Sequence, residues 1–239
     1  ALETERELGE LKSRFVSMAS HEFRTPLSTV LSSASLVGSY ADRLDFENIK
    51  KHSQRIKTAV NNLNTILTEF LSLGKLEEGK TEPNLLDTDL PALVKEVHSE
   101  MKALFRNGQS LSYEHQGAKT AYLDPALFKH VLLNLISNAI KYSPENSLIR
   151  INSSVQDTEI TLEVIDEGMG IPEADQKHLF SRFFRAANSS NIQGTGLGLY
   201  IVKRYIELMN GQIGFHSVEG VGTTFWVKIY TDPVLKIKV

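Results

Sequence analysis

The apolar positions Leu8, Leu11, Phe15 and Met18 alternate steps of three and four along the chain, which is the seam of a coiled coil. Ile49, Ile56, Val60, Leu63, Leu67 and Phe70 repeat the pattern. Residues 3–40 and 45–78 are therefore expected as two helices. The polar stretch Ser39–Asp45 is the turn between them, with Asp45 as N-cap. So short a connection makes an antiparallel hairpin. A lone hairpin leaves its apolar stripe partly wet, and pairing with a second copy into a four-helix bundle would cover it. After Pro26 the apolar positions Val30, Ala34 and Val37 point about a third of a turn from the earlier stripe, at ~100° per residue. A proline-induced kink accounts for such a shift.

Gly74, Gly79 and Pro83 close the second helix. They divide the chain into a helical domain at 1–78, a linker at 79–88, a second domain at 89–231 and a tail at 232–239. In the second domain the patterning predicts helices at 89–106 and 125–142, with short strands near 110–115 and 120–123. Ile160, Leu162 and Val164 alternate with polar residues, so strands at 147–155 and 158–166 should be half-buried. A short helix after Pro172, a polar loop, a helix at 197–209 and a hairpin at 211–230 complete the chain. The expected fold class is α+β: a helical hairpin, then an α/β two-layer sandwich with helices on one face of a mixed sheet.

Composition narrows the function. The 239 residues carry a formal net charge of only −3 with both signs interspersed, which gives no electrostatic footprint for nucleic acid and no polybasic membrane anchor. There are no cysteines, which excludes disulfide, thiol and cysteine–metal chemistry and fits a reducing, cytoplasmic compartment. No apolar run is long enough to span a bilayer. The chain starts inside a helical pattern, so it reads as a fragment whose sensing or anchoring parts lie upstream. Direct membrane contact is not expected of the fragment.

Four groups of residues could carry chemistry. His21 and Glu22 sit side by side on the first helix, with Thr25 and Pro26 following. His21 falls at the edge of the buried stripe, so its ring should be accessible, although a solvated surface histidine is the plainer reading of that residue alone. Asn134 and Asn138 are one turn apart on an apolar helix, followed by Lys141 and Tyr142. Amides there must be hydrogen-bonded or ligate something, and an amide oxygen suits a hard cation such as Mg²⁺. Asp166, Gly168 and Gly170 follow a strand, where the carboxylate can accept from a ligand amine, though such a motif is usually a turn. Gly194-Thr195-Gly196-Leu197-Gly198 runs into a helix whose exposed amides could hold an anion. Its spacing is neither a dinucleotide fingerprint nor a Walker loop. Phe180, Phe183 and Phe184 precede it and suggest a mobile lid with a hydrophobic anchor, unless they simply join the core.

In this order and at these separations, the four groups resemble the catalytic core of a bacterial sensor histidine kinase, from about Glu10 to Tyr230. Residues 1–78 resemble the dimerisation and phosphoacceptor domain, and 83–231 the Bergerat-type ATP-binding domain shared with gyrase, heat-shock ATPases and MutL. The resemblance implies that His21 accepts the γ-phosphate of ATP with Glu22 as its base. It implies that Asn138 binds Mg²⁺ with Asn134 in support, and that Lys141 and Tyr142 lie near phosphates and sugar. Asp166 would receive the adenine amine in a pocket shaped by Gly168, Gly170 and Ile171. Gly194, Thr195, Gly196, Leu197 and Gly198 would hold the phosphates under a lid of about 181–195 that includes Phe183, and Thr223 matches a late motif near adenine. Hydrolytic members of the superfamily carry a glutamate where this chain has Asn134, so the phosphate should go to a histidine instead of water. Thr25 matches the position that serves dephosphorylation of a response regulator. The implied partners are a second copy and a response-regulator receiver domain. The competing classes are a nucleotide-binding module without phosphotransfer and a hydrolytic ATPase.

Overall fold

The computed structural model describes residues 2–189, 192 and 194–231, with side chains from Val16 onward. The side chains of Leu8, Leu11 and Phe15 and the expected tail at 232–239 lie outside the described residues. Two compact units emerge, one up to Gly74 and the other from Lys75 onward.

The first unit is the hairpin of helices α1 (Leu2–Ala41) and α2 (Phe46–Glu77). Asp45 begins α2 as expected, its carboxylate accepting the Asn48 backbone N–H at 3.2 Å and the Asn48 amide at 2.8 Å. Helix α1 continues through Pro26, which is buried. The stripe that α2 buries differs from the expected seam. Ala59, Ile66, Phe70 and Leu73 are buried, whereas Val60 and Leu67 are exposed. Contacts of Phe70 with Phe23, and of His52 with Ser33 and Tyr40, show that the buried stripe faces α1. Val16, Leu27, Leu31, Val60, Leu67 and Leu71 are left exposed. Two stripes run along the hairpin, and the single chain covers one of them.

In the second unit, strands β1 (Leu86–Asp89) and β3 (Thr120–Leu123) form a small antiparallel pair. Between them come α3 (Leu90–Met101) and β2 (Ser110–Gly117), and β3 leads into α4 (Pro125–Tyr142). The expected helix to 106 stops at Met101 and tightens into a 3₁₀ turn over Lys102–Leu104. The stretch expected as linker to residue 88 contains β1. Then follow β4 (Leu148–Gln156), β5 (Glu159–Asp166), α5 (Glu173–Gln176), α6 (Gly198–Leu208), β6 (Gly211–Val218) and β7 (Gly222–Tyr230). The five-stranded sheet has the order β2-β4-β5-β7-β6, with β2 and β4 parallel and the other neighbours antiparallel.

One sheet face is apolar because β4, β5 and β7 alternate. Ile149, Ile151, Ile160, Leu162, Val164, Val227 and Ile229 are buried, as are Leu90, Val94 and Val97 of α3, Phe128, Leu132 and Ile136 of α4, and Ile201 and Ile206 of α6. Both long helices here start at an aspartate followed by or near a proline. Asp124 accepts from the Ala126 and Leu127 N–H groups, and its second oxygen from Asn84 N–H at 2.8 Å. Asp89 caps α3 through Ala92 N–H. The far end of α4 is held as firmly. Arg106 donates to the carbonyls of Lys141 and Ser143, and Gln109 to those of Ile140, Ser143 and Pro144. These bonds take up carbonyls that a helix C-terminus otherwise leaves open.

His130 on α4 meets Tyr205 of α6 edge-on at 5.2 Å, and its Nδ1 is buried with no hydrogen-bond partner among the described residues. Burial lowers the His130 pKa from its ordinary 6.5. The fold therefore prefers the neutral ring, and this contribution is fully present above pH 6.5 and is lost as pH falls below it. In urea titrations at pH 7.5 and 5.5, a His130→Phe variant is expected to lose less stability on acidification than the wild type. Equal losses would show that the ring protonates without penalty.

Candidate functional site

In the second unit, α4 carries Asn134 and Asn138 one turn apart on one side, both half-buried. The Asn138 amide nitrogen donates to Asn134 Oδ1 at 3.2 Å, which directs the Asn138 oxygen away from its neighbour. Asn134 also marks where α6 begins. A Cβ on Gly198 would lie 2.3 Å from Asn134 Nδ2, so any larger residue there would displace the Asn134 amide. Gly196 lies against the backbone of Phe183, which has the left-handed φ of 61° that is uncommon outside glycine.

The β5 strand delivers Asp166 to the sheet edge. The residue is 9% exposed, and its Oδ1 accepts the N–H groups of Gly168 at 2.8 Å and Thr223 at 3.3 Å. Burial pushes the Asp166 pKa up to about 6, against the pull of those two donors. The second oxygen makes no bond to the described residues. Such a carboxylate is primed for a ligand that donates hydrogen bonds. The loop beyond it is pinned on both sides. Met169 N–H donates to the Tyr142 carbonyl, and Gly220 N–H to the Met169 carbonyl. Gly170 has a φ of 62°, and a Cβ there would meet the Val218 carbonyl at 2.1 Å. Ile171 is buried, with its N–H on Ser217 Oγ and its carbonyl accepting from Gln176.

Tyr142 is half-buried, and burial raises its phenol pKa against the opposing charge of Arg185 and a hydrogen bond with Ser189. The Lys141 ammonium lies 5.1 Å from the Tyr142 ring centroid. Arg185 donates to the carbonyls of Ser189 and Ile192, and Asn188 reaches back to the Gly170 carbonyl at 3.0 Å. Part of the expected lid is thus tied to the Asp166 loop. Leu197 and Thr195 are buried and Gly194 half-buried, so Leu197 can serve a ligand only through its backbone. Asp166, Gly168, Gly170, Ile171 and Thr223 form one cluster, while Asn134, Asn138 and Gly198 form a second. Ser217, Gln176, Asn188, Arg106 and Gln109 were not foreseen. Each is a single polar residue whose partner lies far along the chain, and periodicity is blind to such pairs.

These residues fit a magnesium nucleotide. Asn138 offers a hard oxygen, and the second oxygen of Asp166 is left to accept from a ligand donor. No group of three or more His, Cys, Asp or Glu side chains among the described residues could hold a metal by itself. A cation here would take its remaining ligands from phosphate and water.

In the helical unit His21 is exposed, with 76% of its side chain accessible, against 13% for Glu22. Glu22 Oε1 lies 3.5 Å from His21 Nδ1, while Oε2 is buried without a hydrogen-bond partner among the described residues. Thr25 is exposed one turn on. Beside it a groove of about 750 Å³ runs between α1 and α2, lined by Thr25, Pro26, Thr29, Ser33, Lys51 and Arg55 among others.

The comparisons with known proteins agree with this layout. A His Kinase A (phospho-acceptor) domain matches residues 11–79, and a Histidine kinase-, DNA gyrase B-, and HSP90-like ATPase matches 123–233. The sensor-like histidine kinase SenX3 of Mycobacterium tuberculosis is 34% identical over 214 residues, 88% of this chain and 52% of that protein. The signal transduction histidine-protein kinase BarA of Escherichia coli is 32% identical over 95% of this chain and 25% of its own length. The chain thus spans about half, or less, of the curated relatives it matches. Among solved structures, the histidine kinase AdeS of Acinetobacter baumannii shares the fold with a TM-score of 0.68 at 24% identity, over 89% of this chain and 98% of that one. Full-length ShkA in complex with AMPPNP gives 0.66 at 25%, over 92% and 46%.

Proposed function

The chain belongs to the sensor histidine kinases, and we propose that it transfers the γ-phosphoryl group of ATP to its own His21 and then to an aspartate of a response regulator. The observation that carries this reading is an exposed imidazole paired with a half-buried carboxylate, inside the segment that matches the phospho-acceptor domain. Glu22 favours the tautomer with the proton on Nδ1 and leaves Nε2 as the nucleophile. The Nε2–P bond forms as the bond from phosphorus to the β,γ-bridging oxygen breaks, and ADP departs with that electron pair. The positive charge on the ring is balanced by Glu22, which takes up the Nδ1 proton.

In the second unit, Asp166, Gly168, Gly170, Ile171 and Thr223 would hold adenine, and Asn138, supported by Asn134, would hold the metal. Lys141, Tyr142, Phe183 and the segment Gly194 to Gly198 surround phosphates and sugar. Mg²⁺, when bound, neutralises the developing charge on the phosphates. The AMPPNP bound by the related ShkA supports a nucleotide at this domain. Asn134 in place of a glutamate leaves water without a base and favours transfer over hydrolysis.

The uncovered stripe of Leu27, Leu31, Val60, Leu67 and Leu71 supports a homodimer closed into a four-helix bundle. The groove beside Thr25, with Lys51 and Arg55 in its lining, offers a surface to an acidic receiver domain. Thr25 there positions water for dephosphorylation. A Thr25→Ala variant is expected to lose at least tenfold in regulator dephosphorylation with autophosphorylation unchanged, read from decay of the labelled regulator. Full phosphatase activity would discard that role. No helix among the described residues is long and apolar enough to cross a membrane. The chain acts in the cytoplasm in this reading.

Incubation with Mg²⁺ and γ-labelled ATP tests the function. Acid-labile label on the protein is the expected result, and free phosphate without protein label would make the chain a hydrolase.

A further inference from the structure

Ser217 of β6 sits behind the wall formed by Asp166 and Thr223. Its Oγ accepts the Ile171 N–H at 2.9 Å and makes two further short oxygen contacts, 3.1 Å to the Gly222 carbonyl and 2.9 Å to Thr223 Oγ1. Each oxygen–oxygen contact needs one hydrogen between its atoms. Ser217 has a single hydroxyl hydrogen, and a carbonyl has none to give. The Ser217 hydrogen must therefore point at Gly222, and the Thr223 hydroxyl must donate to Ser217. Ser217 is then fully used, with one hydrogen given and two received. Thr223 is left with only lone pairs to offer elsewhere.

The direction of that hydroxyl matters because of its neighbour. Thr223 is the register partner of Asp166 across β5 and β7, so both side chains project to the same face. Thr223 N–H also holds Asp166 Oδ1. The pocket wall thus presents a carboxylate and a hydroxyl oxygen side by side, both acting as acceptors. Gln176 strengthens the arrangement by donating to the Ile171 carbonyl at 3.0 Å and the Ser217 carbonyl at 3.2 Å. That pair of bonds fixes the loop against β6.

We infer that Ser217 is a positioning residue that sets the hydrogen-bond polarity of Thr223, and so makes the pocket select a 6-amino purine over a 6-oxo purine. The inference rests on the reading that Asp166 faces the purine of a nucleotide. An exocyclic amine brings two N–H donors to two acceptors. A 6-oxo group brings an acceptor against them, and unpaired groups in a buried pocket are what gives such sites their discrimination. Without Ser217 the Thr223 hydroxyl is free to turn its hydrogen toward the ligand and to donate to a 6-oxo group.

The test is calorimetric titration of the full chain with Mg·ATP and Mg·ITP, which differ at that one position. The wild type should prefer ATP. In Ser217→Ala the preference should fall by about fivefold to tenfold, mostly through tighter ITP binding, whereas Ser217→Thr should retain it. Thr223→Val should also lose preference, and adding Ser217→Ala to it should cause no further change. Should Ser217→Ala fail to fold, Ser217→Thr and Thr223→Val still decide: a wild-type preference in Thr223→Val, or none in Ser217→Thr, overturns the inference. So does an unchanged preference in folded Ser217→Ala, or an additive loss in the double variant. A wild type that binds neither nucleotide overturns the nucleotide reading and this inference together. A clear ATP preference that ignores Ser217 overturns the inference alone.

Discussion

Asp166→Asn is expected to weaken Mg·ATP binding by about 100-fold or more while leaving the sheet unit as stable as before, or more stable, at pH 7. The two effects separate because the carboxylate does two different things. Its Oδ1 accepts Gly168 N–H and Thr223 N–H, and an asparagine oxygen can do the same. Its charge is costly in the fold. The group moves from 3.8 to about 6 because it is buried, so the protonated form is the one the fold prefers. That contribution is fully present below pH 3.8 and is lost as pH rises through 6. At pH 7 the buried charge costs on the order of 1–3 kcal/mol, and asparagine removes it. Asparagine also turns a donor toward the purine amine, and the ligand loses its acceptor. Calorimetry and urea titration on the same preparation read both changes. In the wild type, nucleotide affinity should itself fall as pH drops through about 6, and Asp166→Asn should lack that dependence. Unchanged ATP affinity in Asp166→Asn would remove Asp166 from the site.

Glu22→Gln is expected to slow autophosphorylation by roughly 100-fold or more, within the range a positioned base contributes, with the Kd for ATP within about twofold of the wild type. The split follows from placement. Glu22 belongs to the helical unit, where its Oε1 lies 3.5 Å from His21 Nδ1. Glutamine keeps the shape and can still orient the ring through its amide oxygen, but it cannot take up a proton. Single-turnover labelling with excess ATP measures the rate free of binding effects. A rate within threefold of the wild type would mean that Glu22 only packs.

The two domains differed in how far they could be read before folding. Helix α4 was legible because residues 125–142 are strongly apolar at the helical period. Strands β4, β5 and β7 were legible because alternation survives wherever one face is buried. Helix α2 was legible as a helix but not in its facing. Ala59, Ile66 and Leu73 repeat every seven residues one position before Val60 and Leu67, so two adjacent seams satisfy the same heptad rule. Only packing against α1 selects between them. Strand β1, Leu86-Asp87-Thr88-Asp89, has one apolar residue in four and is stabilised by backbone pairing with β3, which leaves little trace in residue type. The glycine and aspartate motifs marked the candidate site, but Ser217 did not stand out. Its role comes from a register between strands that meet at residues 57 apart, Asp166 and Thr223.

In the proposed reaction Nε2 of His21 receives the γ-phosphoryl group. The most direct measurement of that transfer is a ³¹P spectrum of the protein after reaction with Mg·ATP, with the phosphorylated peptide mapped by mass spectrometry under neutral conditions. A phosphoramidate on Nε2 of His21, absent from His21→Gln although that variant still binds ATP, is the predicted result. Phosphate on any other residue, or label retained in His21→Gln, would contradict it.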